Sequence, residues 1–243
     1  MAVANQTSHA ARPAWLPERE SNGRRVLDLF CCAGGAGMGY YLAGFEVTGV
    51  DIAPQPHYPF TFVRGDALDY LHAHGGDFDF IHTSPPCQGH SPLNAYNHKD
   101  YPDLIPATRT ALRQVGRPYV IENVIQAPLI NPMILCGAMF GLRVYRHRAF
   151  EAGGGFTFTA PPHPEHVARC VRNGYLPAAD QFMTITGGRH SEAWRAKAAE
   201  VMRVPWTRTI REVCEAIPPA YTRHIGQAAH TACPPAPMEE VAA

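Results

Sequence analysis

Phe78-Asp79-Phe80-Ile81-His82-Thr83-Ser84-Pro85-Pro86-Cys87-Gln88-Gly89-His90-Ser91 is an apolar, strand-like run that stops at two prolines. Proline fixes φ and restricts the residue before it, so Ser84-Pro85-Pro86 can hold Cys87 in one place on a stiff loop at a strand end. In an open parallel sheet, the carboxyl ends of the strands are where ligands and chemistry sit. A thiol held there is a candidate nucleophile, because thiolate is the strongest nucleophile among ordinary side chains. Taken alone, Pro-Pro-Cys favours a buried cysteine packing as a small hydrophobe. The segments around it reverse that reading.

Upstream, Arg25-Val26-Leu27-Asp28-Leu29-Phe30 has the pattern of a buried strand and runs into Cys31-Cys32-Ala33-Gly34-Gly35-Ala36-Gly37-Met38-Gly39. Glycines there allow a tight turn and close approach of backbone to a ligand, and the helix behind them, over about 37–43, presents open N–H groups. The spacing is neither G-x-G-x-x-G nor a Walker loop. A second strand, Phe45–Val50, ends in Asp51, about 20 residues past the glycine loop, where a carboxylate can accept from ribose hydroxyls. A third, Phe60–Gly65, ends in Asp66, which could equally cap a helix over Ala67–His72. Asp28, Asp51 and Asp66 at three strand ends point to a nucleoside-type pocket. Downstream, Asp103–Val115 has helical spacing, and Tyr119-Val120-Ile121 delivers Glu122-Asn123-Val124 to the same edge as Cys87. A carboxylate there is either ion-paired or an acid with a raised pKa.

The 243 residues suit one α/β domain with an insert or two small domains, with room for a substantial core. A hydrophobic content of 46%, a charged content of 17% and a formal net charge of zero describe a globular protein with no global basic field. Any contact with nucleic acid must therefore use local patches. Seven scattered cysteines without a CxxC pair argue against a disulfide framework or zinc site. No apolar run reaches membrane-spanning length, and Met1–Glu20 lacks the features of a signal peptide. The chain reads as cytoplasmic, metal-free and monomeric.

Asp28-Leu29-Phe30-Cys31-Cys32-Ala33-Gly34-Gly35, Pro85-Pro86-Cys87-Gln88-Gly89, Glu122-Asn123-Val124, Arg146-His147-Arg148 and Ala216-Ile217-Pro218-Pro219, in that order, resemble the motifs of the cytosine-C5 DNA methyltransferases. The match covers roughly residues 25–151 and 206–230. It implies a Rossmann-like S-adenosylmethionine methyltransferase sheet with a small target-recognition insert, acting on a flipped-out cytosine in double-stranded DNA. Cys87 would attack C6, Glu122 would favour that attack at N3, and Arg148, with Arg146, would bind the O2 edge. The cofactor would lie against Asp28, Phe30, Gly34, Gly35 and Asp51, with Ile52, Asp66, Ala67, Pro85 and Pro218 completing its pocket. Gln88 and Ser91 would belong to the loop that closes over the base. Cys31 and Cys32 read as packing.

The pattern has Thr83-Ser84 where the family often has two glycines, His90 where an aromatic is common, and Val144 where glutamine usually opens the arginine motif. The expected organisation is a flexible arm at 1–22, a catalytic unit at 23–151, a recognition insert at 152–205, a catalytic return at 206–230 and a disordered tail at 231–243. So small an insert can carry few base-edge contacts and predicts a site of about two to four base pairs. Arg169, Arg172 and Arg189 are its phosphate-binding candidates. Methylation of tRNA by the same motifs, and an inactive nucleic-acid-binding relative, remain alternatives, and a role in restriction-modification, an orphan role or a mobile-element role stays open.

Overall fold

A computed structural model of the chain describes residues 6–8, 13–90, 101–172 and 174–232. Strand β2 (Arg25–Leu29) organises the sheet, because it pairs in parallel with both β3 (Glu46–Asp51) and β5 (Phe80–Thr83). From β2 the chain runs outward through β3 to β4 (Thr61–Arg64), then crosses back to β5 and β6 (Tyr119–Asn123) on the other side. Strand β8 (Arg148–Gly153) lies antiparallel between β6 and β7 (Met133–Leu135), and a short β1 (Gln6–Ser8) lies antiparallel on β4. The order is β1-β4-β3-β2-β5-β6-β8-β7. Chain direction along the sheet reverses between β2 and β5, which opens a crevice at their carboxyl ends. The protein has a Rossmann-like α/β fold.

The inner strands are covered on both faces, so they read as unbroken apolar runs. Val26, Phe80 and Val120 face one layer, and Leu27, Ile81 and Ile121 face the other, the alternation a strand imposes. Helices α1 (Gly35–Leu42) and α6 (Pro219–Ala232) cover the first face, and α2 (Ala67–His74) and α3 (Ile105–Val115) the second. Helices α1 and α6 touch backbone to backbone at Gly39, where a Cβ would sit 2.0 Å from Thr222 Oγ1 and 2.2 Å from the Pro219 carbonyl oxygen. Thr222 Oγ1 donates across the same contact to the Ala36 carbonyl at 2.8 Å. Arg24 donates to the Ala229 and His230 carbonyls, a cation at the end of α6.

The insert does not stand apart. Trp194, Ala198 and Met202 of α4 (Glu192–Met202) share one core with Met38 and Tyr40 of α1. Strand β8 runs to Gly153, so the boundary expected between residues 151 and 152 falls inside the sheet. Beyond it, β9 (Cys170–Val171) and β10 (Phe182–Met183) form a small parallel pair. Within the stretch expected to be a loose arm, Leu16 is buried, Trp15 stacks on Trp206 at 5.6 Å and Arg19 meets Glu46 at 2.6 Å. Helix α6 reaches Ala232, and residues 233–243 of the expected tail lie outside the described residues. No helix among the described residues is long and apolar enough to cross a membrane.

A half-buried arginine paired with a buried carboxylate ties α3 to the antiparallel half of the sheet. Arg109 Nε and NH2 each meet a Glu151 carboxylate oxygen at 2.7 Å, and the Ile130 N–H donates to the same carboxylate. Arg109→Ala leaves that carboxylate buried without its cation, and is expected to destabilise the fold by about 3 kcal/mol or more. Chemical denaturation that finds less than about 1 kcal/mol of change would overturn this assignment.

Candidate active site

The Pro-Pro loop is pinned at both ends. Ser84 N–H donates to the Leu29 carbonyl at 3.1 Å, extending the β2–β5 ladder by one residue. Asn123 Nδ2 donates to the Pro85 carbonyl at 2.9 Å in a buried contact, so the strand that carries Glu122 also holds the loop that carries Cys87. A 3₁₀ turn over Gln88–His90 closes behind the cysteine, with the His90 N–H on the Cys87 carbonyl at 3.1 Å.

Antiparallel pairing brings the arginine motif to this edge. Asn123 faces Ala149 and Glu122 faces Phe150, so Arg148 enters β8 beside the carboxyl end of β6. Its Nε lies 3.1 Å from Glu122 Oε1. Burial raises the Glu122 carboxyl above its ordinary range, working against Arg148, a Ser84 hydrogen bond and Arg146, which lower it. Burial also raises the Cys87 thiol, Glu122 adds to the rise, and Arg148 and Arg146 oppose it. Arg146 is placed differently from Arg148. It is buried, donates to the Ile185 and Cys214 carbonyls, and has its pKa lowered to about 9 by burial and then by Arg148. It holds main chain, and Arg148 is the guanidinium beside the acid.

A hydrogen-bond chain that sequence reasoning missed runs beneath Glu122. Tyr40 Oη is 3.0 Å from His82 Nδ1, and His82 Nε2 is 3.0 Å from Ser84 Oγ, which bonds Glu122. Burial lowers the His82 pKa to about 3, so the ring is neutral and can only relay. The Ser84 hydroxyl is the link.

The other wall of the cleft is the β2–α1 loop. Phe30, Cys32 and Gly34 all take positive φ (56°, 45° and 81°), a strained turn of the kind found at ligand sites. Gly34 has no room for a side chain, because a Cβ would lie 2.9 Å from the Tyr58 ring. Asp51 accepts from the Cys32 N–H at 3.0 Å and the Ala53 N–H at 2.9 Å, which fixes its carboxylate at the rim. Asp28 is fully buried, and burial pushes its pKa up to about 8 although Tyr58 and Gly37 donate to it. Its Oδ1 has no hydrogen-bond partner among the described residues.

A cavity of about 270 Å³ joins these walls. It brings together Cys87, Glu122, Arg146 and Arg148 with Asp28, Phe30, Gly35, Asp51, Ile52, Pro85 and Gln88. A larger apolar groove of about 440 Å³ between Trp15, Met202 and Trp206 contains no nucleophile. Gly34, Asp66, Ala67 and Pro218 do not line the cleft. Gly34 is turned against Tyr58, and Asp66 Oδ1 caps α2 by accepting from the Leu68 and Asp69 N–H groups. Ala67 packs on the opposite face of the sheet, and Pro218 is buried behind Ala216 and Ile217, which do reach the cleft. Arg211, Cys214 and Glu215 of α5 (Ile210–Glu215), a helix opened by the capping box between Thr209 and Glu212, also line it, and sequence reasoning missed them as cleft residues. Arg169, Arg172 and Arg189 are exposed on the insert, away from the cleft, and Ser91 lies outside the described residues.

No family profile matches the sequence, and no curated protein does. Among solved structures the chain is similar to the S. pombe Dnmt2 methyltransferase, with a TM-score of 0.53 and 14% identity over 83% of this chain and 96% of that one. It is also similar to a SAM-dependent methyltransferase from Agrobacterium tumefaciens, with a TM-score of 0.30 and 20% identity over 46% of this chain and 41% of that one. That second likeness is too partial to carry weight. The first shows the Rossmann-like fold across most of the chain, and the chemistry rests on the residues of the cleft.

Proposed function

We propose that the chain is a DNA (cytosine-5-)-methyltransferase that uses S-adenosylmethionine and acts, as a monomer, on a short site in double-stranded DNA. One observation carries this reading: Cys87 shares a cleft with the Glu122–Arg148 pair and with the strand-end aspartates Asp28 and Asp51. The Dnmt2 likeness supports methyl transfer as the general class.

The residues of the second wall suit the cofactor. Asp28 Oδ1 is a buried acceptor without a donor among the described residues, Asp51 offers a fixed carboxylate, and Phe30 with the 72% exposed Ile52 offers apolar surface at the rim. S-adenosylmethionine bound there supplies an electrophilic methyl group. The chain's own residues do the rest. Cys87 Sγ bonds C6 of cytosine and makes C5 electron-rich, while Glu122 holds a proton at N3 and Arg148 offsets charge at O2. Once C5 carries the methyl group, loss of the C5 proton returns its electron pair to the ring, the C6–S bond breaks and the thiolate leaves. The cleft admits only a base taken out of the stack.

Bisulfite sequencing of plasmid DNA from cells expressing the wild-type chain or Cys87→Ala tests this directly. Protected cytosines at one short site should appear with the wild type and vanish with the variant. Protection only within sites of six or more bases would overturn the short-target reading. No protection in either sample, with labelled methyl groups entering tRNA but not duplex DNA, would assign the chemistry to RNA.

A further inference from the structure

On the far side of the arginine strand lies a second cluster that the methyl-transfer chemistry does not use. Cys136 Sγ and one ring nitrogen each from His147, His163 and His166 all lie within 4.8 Å of one another. We propose that these four side chains bind a structural zinc ion that clamps the recognition insert onto the segment carrying Arg146 and Arg148, at the start of β8.

The fold explains why the donors meet. Leu135 of β7 pairs with Arg148 of β8, so the next step of the antiparallel register sets Cys136 opposite His147. Arg146 and Arg148 line the cleft, and His147 between them does not. The chain then leaves β8, and the loop His163-Pro164-Glu165-His166 returns to the same point.

Hydrogen bonding leaves lone pairs aimed at one centre. His163 Nδ1 lies 2.8 Å from the Pro164 carbonyl oxygen, which only an N–H can meet, so its Nε2 carries a lone pair. His147 is likewise bonded to the main chain of Tyr145, and the two Nε2 atoms face each other at 3.2 Å. Two lone pairs at that distance repel unless a cation lies between them. His166 Nε2 lies 3.4 Å from Cys136 Sγ, and its ring is held by stacking on Tyr145 at 3.7 Å. The Ala138 and Met139 N–H groups point at the Cys136 sulfur, which fixes its position at the mouth of the cluster.

Zinc takes thiolate at about 2.3 Å and imidazole at about 2.0–2.1 Å in a tetrahedron, whose edges are then about 3.3–3.6 Å. The His147–His163 pair at 3.2 Å and the Cys136–His166 pair at 3.4 Å lie within about 0.2 Å of such edges. One thiolate and three neutral imidazoles complete the tetrahedron, which makes the site structural, and binding releases the Cys136 proton. The expectation of no zinc site rested on the missing CxxC pair, whereas these donors span 31 residues and meet only through the β7–β8 register.

Full-length protein made without a histidine tag should contain about one zinc ion per chain by elemental analysis. Cobalt(II) added to the metal-stripped chain should give the bands of a tetrahedral site with thiolate-to-metal charge transfer. His163→Asn and Cys136→Ser should each cut the zinc content by about tenfold or more, and Cys136→Ser should also abolish the charge-transfer band. A wild-type chain that holds less than about a tenth of an ion after zinc is supplied, or variants that keep it, would overturn the proposal. These readouts are independent of methyl transfer.

Discussion

Cys87→Ser is expected to lower methyl transfer by about 10³-fold or more while S-adenosylmethionine affinity stays within about threefold. Serine keeps the size and the loop, because the contacts that hold the loop are the Asn123–Pro85 and Ser84–Leu29 bonds and not the thiol. It removes a nucleophile that can ionise. The charged groups that act on Cys87 are Glu122, Arg148 and Arg146, and in the proposed chemistry Glu122 is needed as an acid. Among the described residues, no charged group acting on Cys87 is left as a base for a hydroxyl. The cofactor wall, with Asp28, Asp51 and Phe30, is built on β2 and β3 and does not depend on position 87. Calorimetry of cofactor binding beside a single-turnover methyl-transfer assay separates the two effects. Near wild-type turnover by the serine variant would remove Cys87 from the mechanism, and lost binding would place it on the cofactor wall.

The parallel half of the sheet was legible because its doubly covered strands are short, mostly apolar runs, β3 closing on Asp51, β4 followed by Gly65 and β5 by Ser84-Pro85-Pro86. The antiparallel half was not. Strand β7 is three residues long, too short to show a period, and β8 carries Arg148 and Glu151 at positions that look exposed until Glu122 and Arg109 are placed beside them. The cleft residues that lie in motifs could be named, but their partners could not. His82 reads as one more member of a buried strand, and its role in holding Ser84 and Glu122 depends on Tyr40, 42 residues upstream. Asp66 shows the opposite case. Its place before Ala67–His74 allowed a helix cap as well as a ligand contact, and the structure uses Oδ1 for the cap. The arginines divide too: Arg143 and Arg146 donate to the main-chain carbonyls of Gln181 and Ile185 respectively, while the phosphate-binding candidates Arg169, Arg172 and Arg189 stay at the surface.

Glu122→Gln is expected to lower kcat/KM by about 10²–10⁴-fold, the range for loss of a general acid, and to change the shape of the pH profile. The productive state has a protonated Glu122 and an ionised Cys87, one proton between two coupled groups. Burial raises both pKa values, and the Glu122 charge raises the thiol further. Below the lower apparent pKa both groups hold protons and the thiolate is lost. Above the higher one both are ionised and the acid is lost, so the wild-type profile is a bell. Glutamine cannot ionise, so the alkaline fall disappears and the residual rate rises with the thiolate to a plateau. The substitution also takes a negative charge away from Cys87 and leaves Arg148 beside it, so the thiol ionises at lower pH. Alkylation of Cys87, followed by mass spectrometry across a pH series, reads that shift without any methyl transfer. If the alkylation midpoint stays at its wild-type pH, Glu122 does not act on the thiol. If the variant keeps a bell-shaped profile, the acid in the reaction is another group.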